Sequence, residues 1–278
     1  MSVNLDAKTV EGFGEEWSRF DQTGMSETEL REQFERYFAV FPWESLPANA
    51  TGFDLGCGSG RWAKLAAERV GKLFCVDASA AALNVARRNL AHLTNVRFAH
   101  ASVGELPFAA DSMDFAYSLG VLHHIPDTAR GIKSCVDKIK PGAPFLVYLY
   151  YAFDNRPAWF RGVWKVSDVF RRAICALPFG LKKVATDLIA VSVYFPLGRT
   201  DGLLEKTGAN VDSFPLSVYR VHSFYTMRTD ALDRFGTRLE QRFTRAQIRE
   251  MMIAAGLENI KFSDNFPYWC AVGFKKRA

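Results

Sequence analysis

The chain has 278 residues, 49% of them hydrophobic and 23% charged. That balance excludes a disordered or fibrous chain and fits one large globular domain, or one domain carrying an insertion. A formal charge of +5, from 35 basic and 30 acidic side chains, is too small to indicate nucleic acid without a localised basic patch.

The N-terminal stretch MSVNLDAKTVEGFGEEW lacks a basic segment followed by an apolar one, so no secretory leader is expected. No run of about 18 apolar residues occurs, so no spanning helix is expected either. Residues 1–48 carry helical signals broken by aromatics. In SETELREQFERYF, Ser26 is followed three places on by Glu29, a capping-box arrangement, and Phe34, Tyr37 and Phe38 then share one helix face. Earlier, Phe13, Trp17 and Phe20 form a candidate lid over a ligand, or equally an amphipathic helix packed on a sheet edge.

From Thr51 the pattern alternates between strand and helix. GFDLGCG, KLFCVDAS, VRFAHAS, MDFAYSLGVLHH and APFLVYLYY read as strands, with helices RWAKLAAERV, AAALNVARRNLAHL and DTARGIKSCVDKIKPG among them. Short apolar strands separated by helices predict a parallel sheet covered on both faces. The alternation stops over 152–243, where RPAWFRGVWKVSDVFRRAICALP and FGLKKVATDLIAVSVYFPLG read as helices. TRAQIREMMIAAG then predicts a helix capped by Thr244 and closed by Gly256, and LENIKFSDN and YWCAVGFKK a last pair of strands. The expected organisation is a helical lid over 1–48, an α/β core over 49–151, a helical insertion over 152–243, and a return to the core over 244–278. Cys57, Cys75, Cys135, Cys175 and Cys270 are odd in number and scattered, with no C-x-x-C pair. They are expected to be reduced thiols of a cytoplasmic protein, with no metal site.

The chemistry centres on TGFDLGCGSGRW. Gly56, Gly58 and Gly60 have G-x-G-x-G spacing, whereas a dinucleotide loop wants its third glycine one place later, where Arg61 stands. Asp54, two residues before the first glycine, would repel a pyrophosphate and favour an ammonium group, directly or through a water; the other reading is a cap of the turn. Asp77 ends the second strand 21 residues after Gly56, where a carboxylate can accept both ribose hydroxyls; the other reading is a cap of the next helix, a task Ser79 can also perform. A ribose acceptor and an ammonium acceptor around such a loop describe a pocket for S-adenosylmethionine, which has a ribose and an amino acid but no phosphate.

FDLGCGSGRW, VDAS, GELPFAADSMDFAYSLGVLHHIPD and IKPGAPFLVYLY together resemble successive motifs of the class I S-adenosylmethionine-dependent methyltransferases, in the branch related to the ubiquinone and menaquinone methyltransferases. The resemblance covers residues 50–150 and extends through TRAQIREMMIAAGL and the last two strands. It implies an α/β, Rossmann-like, seven-stranded sheet with a reversed last strand and helices on both faces. It also implies a cofactor site formed by Asp54, Gly56, Cys57, Gly58, Ser59, Gly60, Asp77, Ala78 and the neighbouring Ser79, with Leu119 and Gly120 at the end of strand four and Trp17 above. The family commonly has an Asp five residues before the proline of ELPF, receiving the adenine amino group. Ser102 stands there, an uncharged and weaker acceptor, with Val103 beside it.

Methyl transfer to a hydroxyl needs an aligned nucleophile and a base for its proton. His123 and His124, in VLHHIPD, lie just past strand four, and an imidazole titrates in the working range. Against this, the same turn recurs in the resembling family across many acceptors, which suits a packing role. In YRVHSFYTMR, His222 and Tyr225 are spaced to share a helix face and are second candidates for acceptor contact, or part of a polar seam. Tyr150, Tyr151 and Asp154 are placed near the same mouth. The insertion is aromatic and basic, with Trp159, Phe160, Trp164, Phe170, Arg171, Arg172, Lys182 and Lys183. It reads as a cap over the acceptor or as a surface in peripheral contact with a membrane. No NPPY-type loop or dense basic tract suggests nucleic acid. The expected activity is methyl transfer to a small-molecule or glycan-type acceptor, at oxygen before carbon or nitrogen. The alternatives are a lipid or lipid-linked acceptor at a membrane surface, and a binding module without turnover.

Overall fold

The computed structural model describes residues 4–211 and 214–277. Seven strands form one sheet: β1 (Thr51–Leu55), β2 (Lys72–Asp77), β3 (Val96–His100), β4 (Phe115–Leu119), β5 (Pro144–Tyr148), β6 (Leu257–Phe262) and β7 (Cys270–Lys275). Their order is β3-β2-β1-β4-β5-β7-β6. The first five are parallel, while β7 runs antiparallel to both β5 and β6. This is the expected sheet with its last strand reversed. Every residue of β4 and β5 is buried, which is why both read as largely apolar runs, and the one serine, Ser118, donates its hydroxyl to Leu55 O at 3.0 Å. The fourth strand is shorter than MDFAYSLGVLHH suggests. Gly120 turns to φ +78°, and Leu122–His124 becomes a short 3-10 turn.

The chain divides into two compact units. The first comprises Met1–Gln22, Leu30–Asp154 and Leu239–Ala278; the second comprises Thr23–Glu29 and Asn155–Arg238. In the first unit the sheet carries α1 (Ala7–Arg19), α2 (Glu27–Tyr37, from Leu30 onward), α3 (Arg61–Ala66), α4 (Ala80–Asn89), α5 (Thr128–Lys138) and α10 (Arg245–Ala254). Strand side chains alternate between faces. On one face Phe53, Leu55, Ala116, Phe145 and Val147 pack with Ile132 and Val136 of α5 and Ile248 and Met252 of α10. On the other, Phe115 and Tyr117 meet the rings of Phe38, Phe41 and Trp43. Phe34 stacks on Phe38 with centroids 4.3 Å apart, which realises the predicted aromatic face of α2. Thr244 caps α10 in a full capping box with Gln247.

The second unit contains α6 (Ala158–Cys175), α7 (Phe179–Ile189), α8 (Phe195–Lys206) and α9 (Phe224–Gly236). FGLKKVATDLIAVSVYFPLG reads as one helix, but a π turn over Ala190–Tyr194 separates α7 from α8 just before Pro196. Proline lacks the N–H that a regular register would use there. The core of this unit is Ala190, Tyr194, Met227, Ala231 and Phe235. Ser26 caps Glu29 N at 3.2 Å, while the Glu29 carboxylate accepts from Ser223 N at 3.2 Å and Thr226 Oγ1 at 2.7 Å. Asp168 accepts from Arg171 Nε at 2.6 Å and Arg172 Nε at 2.9 Å, and Arg171 also donates to Thr237 O at 3.0 Å.

Phe34 is fully buried between Phe38 and Trp43. Phe34→Ala is expected to lower the unfolding free energy by about 3–5 kcal/mol, measured by denaturant titration.

Candidate active site

The loop after β1 is shaped by backbone that other residues resist. Gly56 and Gly58 have φ of +75° and +54°. A Cβ at Gly56 would lie 2.3 Å from Val121 Cγ2, and one at Gly58 would lie 2.9 Å from the Trp17 indole. Neither position has room for a side chain, and both conformations strain non-glycine residues. Gly56 N and Cys57 N donate to Val76 O at 2.7 and 3.1 Å, and Gly60 N donates to Cys57 O at 2.8 Å.

The Asp77 carboxylate accepts from Gly58 N at 2.9 Å and from Ser79 N at 2.8 Å. Ser79, not Asp77, caps α4, its hydroxyl accepting from Ala82 N at 3.3 Å. Burial raises the Asp77 pKa, opposed by the hydrogen bonds from Ser79 and Gly58. Ala78 is fixed by its carbonyl contact with His100 Nε2 at 2.9 Å. Asp54 is 1% exposed, and its Oδ2 makes no hydrogen bond of ordinary geometry with any described residue. Burial pushes its pKa up to about 8; the neighbouring Tyr117 hydroxyl offsets part of the shift, and the Asp77 charge adds to it. The buried hydroxyls of Ser59 and Ser102 likewise have no partner among the described residues. Val103 is buried in the core behind Ser102. Leu119 is buried at the end of β4, and a Cβ on Gly120 would meet no atom within 4 Å, so there is open space at this strand end.

Helix α1 lies against this loop and is held at both ends. Asn4 and Asp127 exchange two hydrogen bonds of 2.8 and 2.9 Å. Asn89 Nδ2 donates to Asp21 O at 2.7 Å and to Ser59 O at 3.0 Å. The Phe13 ring lies 5.0 Å from that of His124.

In the turn after β4, His123 is wholly buried, its ring centroid 3.9 Å from those of both His124 and Tyr150. Burial above all, with the Arg242 charge nearby, holds its pKa well below the usual value, so it is neutral. His124 Nδ1 lies 2.6 Å from Leu239 O. A carbonyl only accepts, so the hydrogen is assigned to Nδ1, leaving the lone pair on Nε2. The segment following Leu239 completes the turn. Gln241 N donates to His123 O at 3.0 Å, Gln241 Nε2 to Ile125 O at 2.7 Å, and Arg242 lies 5.0 Å over the Tyr150 ring while bonding Glu240 at 2.8 Å. Residues 239–242 have no motif of their own, and only the fold brings them to the histidines. Asp154 serves as a joint, accepting from Arg245 N and Trp269 Nε1 at 2.9 Å each.

His222 and Tyr225 belong to the second unit and do not share a helix face. Ser223 caps α9 between them, leaving His222 outside the helix and Tyr225 in its first turn, packed on Gly24. Arg220 and Arg228, of the same motif, pair with Glu205 at 3.0 Å and Asp187 at 3.0 Å.

A parallel sheet ending in a reversed strand, with a glycine turn after β1 and a carboxylate closing β2, is the fold of class I S-adenosylmethionine-dependent methyltransferases. Residues 53–142 match the methyltransferase domain family, and this domain of the chain is related to the ubiquinone and menaquinone branch of it. The chain is 31% identical over 106 residues to a ubiquinone biosynthesis O-methyltransferase of Acinetobacter baylyi, covering 37% of this chain and 43% of the relative. It is 25% identical over 192 residues to a demethylmenaquinone methyltransferase of Staphylococcus haemolyticus, covering 66% and 80%. The stretch shared with the ubiquinone enzymes spans less than half of their length. The structure of a possible histamine N-methyltransferase from Thermotoga maritima superposes with a TM-score of 0.53 at 13% identity, covering 97% of this chain and all of that one. Among the described residues, no helix is long and apolar enough to cross a membrane, and no group of three or more His, Cys, Asp or Glu is placed to hold a metal ion.

The raised Asp54 pKa has a consequence for stability. Between the ordinary carboxyl value of 3.8 and about 8, the native state keeps a proton that the unfolded state has lost. Stability therefore falls as pH rises through that window. Asp54→Asn is expected to flatten this fall, measured by denaturant unfolding across the window; equal slopes for both proteins would contradict the assignment.

Proposed function

We propose that the chain binds S-adenosylmethionine between the β1 loop and Asp77, and transfers its methyl group to an oxygen of a small-molecule or glycan-type acceptor. The observation that carries the cofactor reading is Asp54, a fully buried carboxyl group beside a glycine loop, whose Oδ2 makes no hydrogen bond of ordinary geometry with any described residue. Such a group is costly unless a ligand donor meets it. An ammonium group meets that requirement, and a pyrophosphate does not. Asp77 uses two of its roughly four acceptor positions on Gly58 and Ser79, which leaves capacity for ribose hydroxyls. Ser102 offers a free hydroxyl to the adenine amino group, and Gly56, Cys57, Ser59 and Gly60 complete the loop. Ala78, Val103, Leu119 and Gly120 supply the flanking surface, and Trp17 covers Gly58.

When bound, S-adenosylmethionine supplies a methyl group made electrophilic by its sulfonium. The protein's tasks are alignment and removal of one proton. His124 is suited to the second, because the Nδ1 contact to Leu239 fixes the tautomer and leaves Nε2 basic. His123, buried between rings and neutral, holds the turn in place. Phe13 and Trp17 on α1 exclude water from the transfer. Likeness to a relative named as an O-methyltransferase supports oxygen as the accepting atom.

Incubation with methyl-labelled S-adenosylmethionine and cell extract tests the reading: label should enter low-molecular-weight material. Binding of S-adenosylhomocysteine with no labelled product from any extract would instead indicate a binding module. Asp77→Ala is expected to weaken S-adenosylhomocysteine binding by about 10- to 100-fold by calorimetry while the fold persists. His124→Ala should lower kcat by about 100-fold or more with little change in cofactor affinity.

A further inference from the structure

Helix α6 turns a stripe of large apolar side chains to water. Its polar groups Asp168 and Arg171 are buried, while Trp159, Val163, Val166 and Phe170 point outward, with 51% of Trp159 and 62% of Val166 and Phe170 exposed. These four fall at i, i+4, i+7 and i+11, a continuous stripe along one face. Helix α7 repeats the pattern, with Leu181, Val184 and Leu188 exposed at i, i+3 and i+7, and Val191 and Phe195 continuing the exposed series beyond it. Both helices rest on α9 through their other faces. Scattered exposed apolar residues need no explanation, but two aligned stripes do.

The charges around the stripes select an occupant. Arg161, Lys165, Arg172 and Lys183 are exposed on these two helices. Neither helix has an exposed carboxylate: Asp168 is buried against Arg171 and Arg172, and Asp187 pairs with Arg228. A second copy meeting this face symmetrically would set basic residues against basic residues. An outward apolar stripe edged by Arg and Lys, with a Trp at one end, complements a bilayer surface with anionic headgroups.

We infer that the outward faces of α6 and α7 dock the protein on an anionic membrane surface, lying in the interface without crossing it. Docking requires neither cofactor nor acceptor, so its test is independent of the proposed methyl transfer.

The experiment is co-sedimentation of the full chain with phosphatidylcholine vesicles, with and without phosphatidylglycerol. Phosphatidylglycerol is expected to strengthen binding by at least about tenfold, and added salt to weaken it. Val166→Glu with Phe170→Glu should abolish binding to both vesicles, and Lys165→Glu with Lys183→Glu should abolish only the preference for phosphatidylglycerol. All four positions are exposed, and unchanged circular dichroism will confirm that the variants fold. Three results would overturn the inference: no binding to either vesicle, binding unchanged in the apolar variant, or a dimer in ultracentrifugation that the apolar variant dissociates, which would assign the face to a second copy.

Discussion

The Asp77 carboxylate accepts one hydrogen bond from Gly58 N and another from Ser79 N, and the site is organised around these two bonds. They tie the end of β2 to the loop after β1 and to the start of α4. The loop can be tied this way only because its glycines adopt left-handed backbone. Trp17 then rests on the bare backbone of Gly58, and Asn89 joins the far side of the loop to the end of α1. The loop is therefore held in shape by side chains that bond to and pack on its main chain, which is the preorganisation that a tight and specific small-ligand site requires. Asp54 stands apart from this arrangement: it is buried and raised in pKa, and its Oδ2 makes no hydrogen bond of ordinary geometry with any described residue.

The histidine turn follows a second logic. His123 and His124 are adjacent in sequence but differ in environment. One is buried between aromatic rings with neither nitrogen bonded to any described residue; the other has its tautomer fixed by a carbonyl. Arg242 and Glu240 add a buried ion pair beside Tyr150. Neighbouring imidazoles thus sit in different surroundings, and the carbonyl of Leu239, not the sequence of the turn, makes the difference.

The sheet and the loop were legible because their causes are local. Buried parallel strands are largely apolar, as FAYSL and PFLVY are, with the one buried serine, Ser118, bonded to Leu55 O at 3.0 Å, and a left-handed turn needs glycine, as GCGSG supplies. The cap of α10 is local too, and Thr244 marked it. What escaped depends on contacts between distant residues. Leu239 and Gln241 reach the histidine turn across about 115 residues, and no spacing rule announces that. Helix α9 was obscured because Thr226 and Thr229 are buried among its apolar residues, and Ser223, its cap, separates His222 from Tyr225. The outward stripe of α6 was hidden for a related reason. Periodicity locates an apolar stripe but does not say whether it points toward the core or away from it.

A loop tied to Asp77, with Asp54 beneath it, is expected to accept a nucleoside carrying an amino acid and not a dinucleotide. Calorimetric titration of one preparation with S-adenosylhomocysteine and, separately, with NADH tests it most directly. Saturable binding of S-adenosylhomocysteine at a single site, and none of NADH, is expected. Binding of NADH, or of neither ligand, would contradict it.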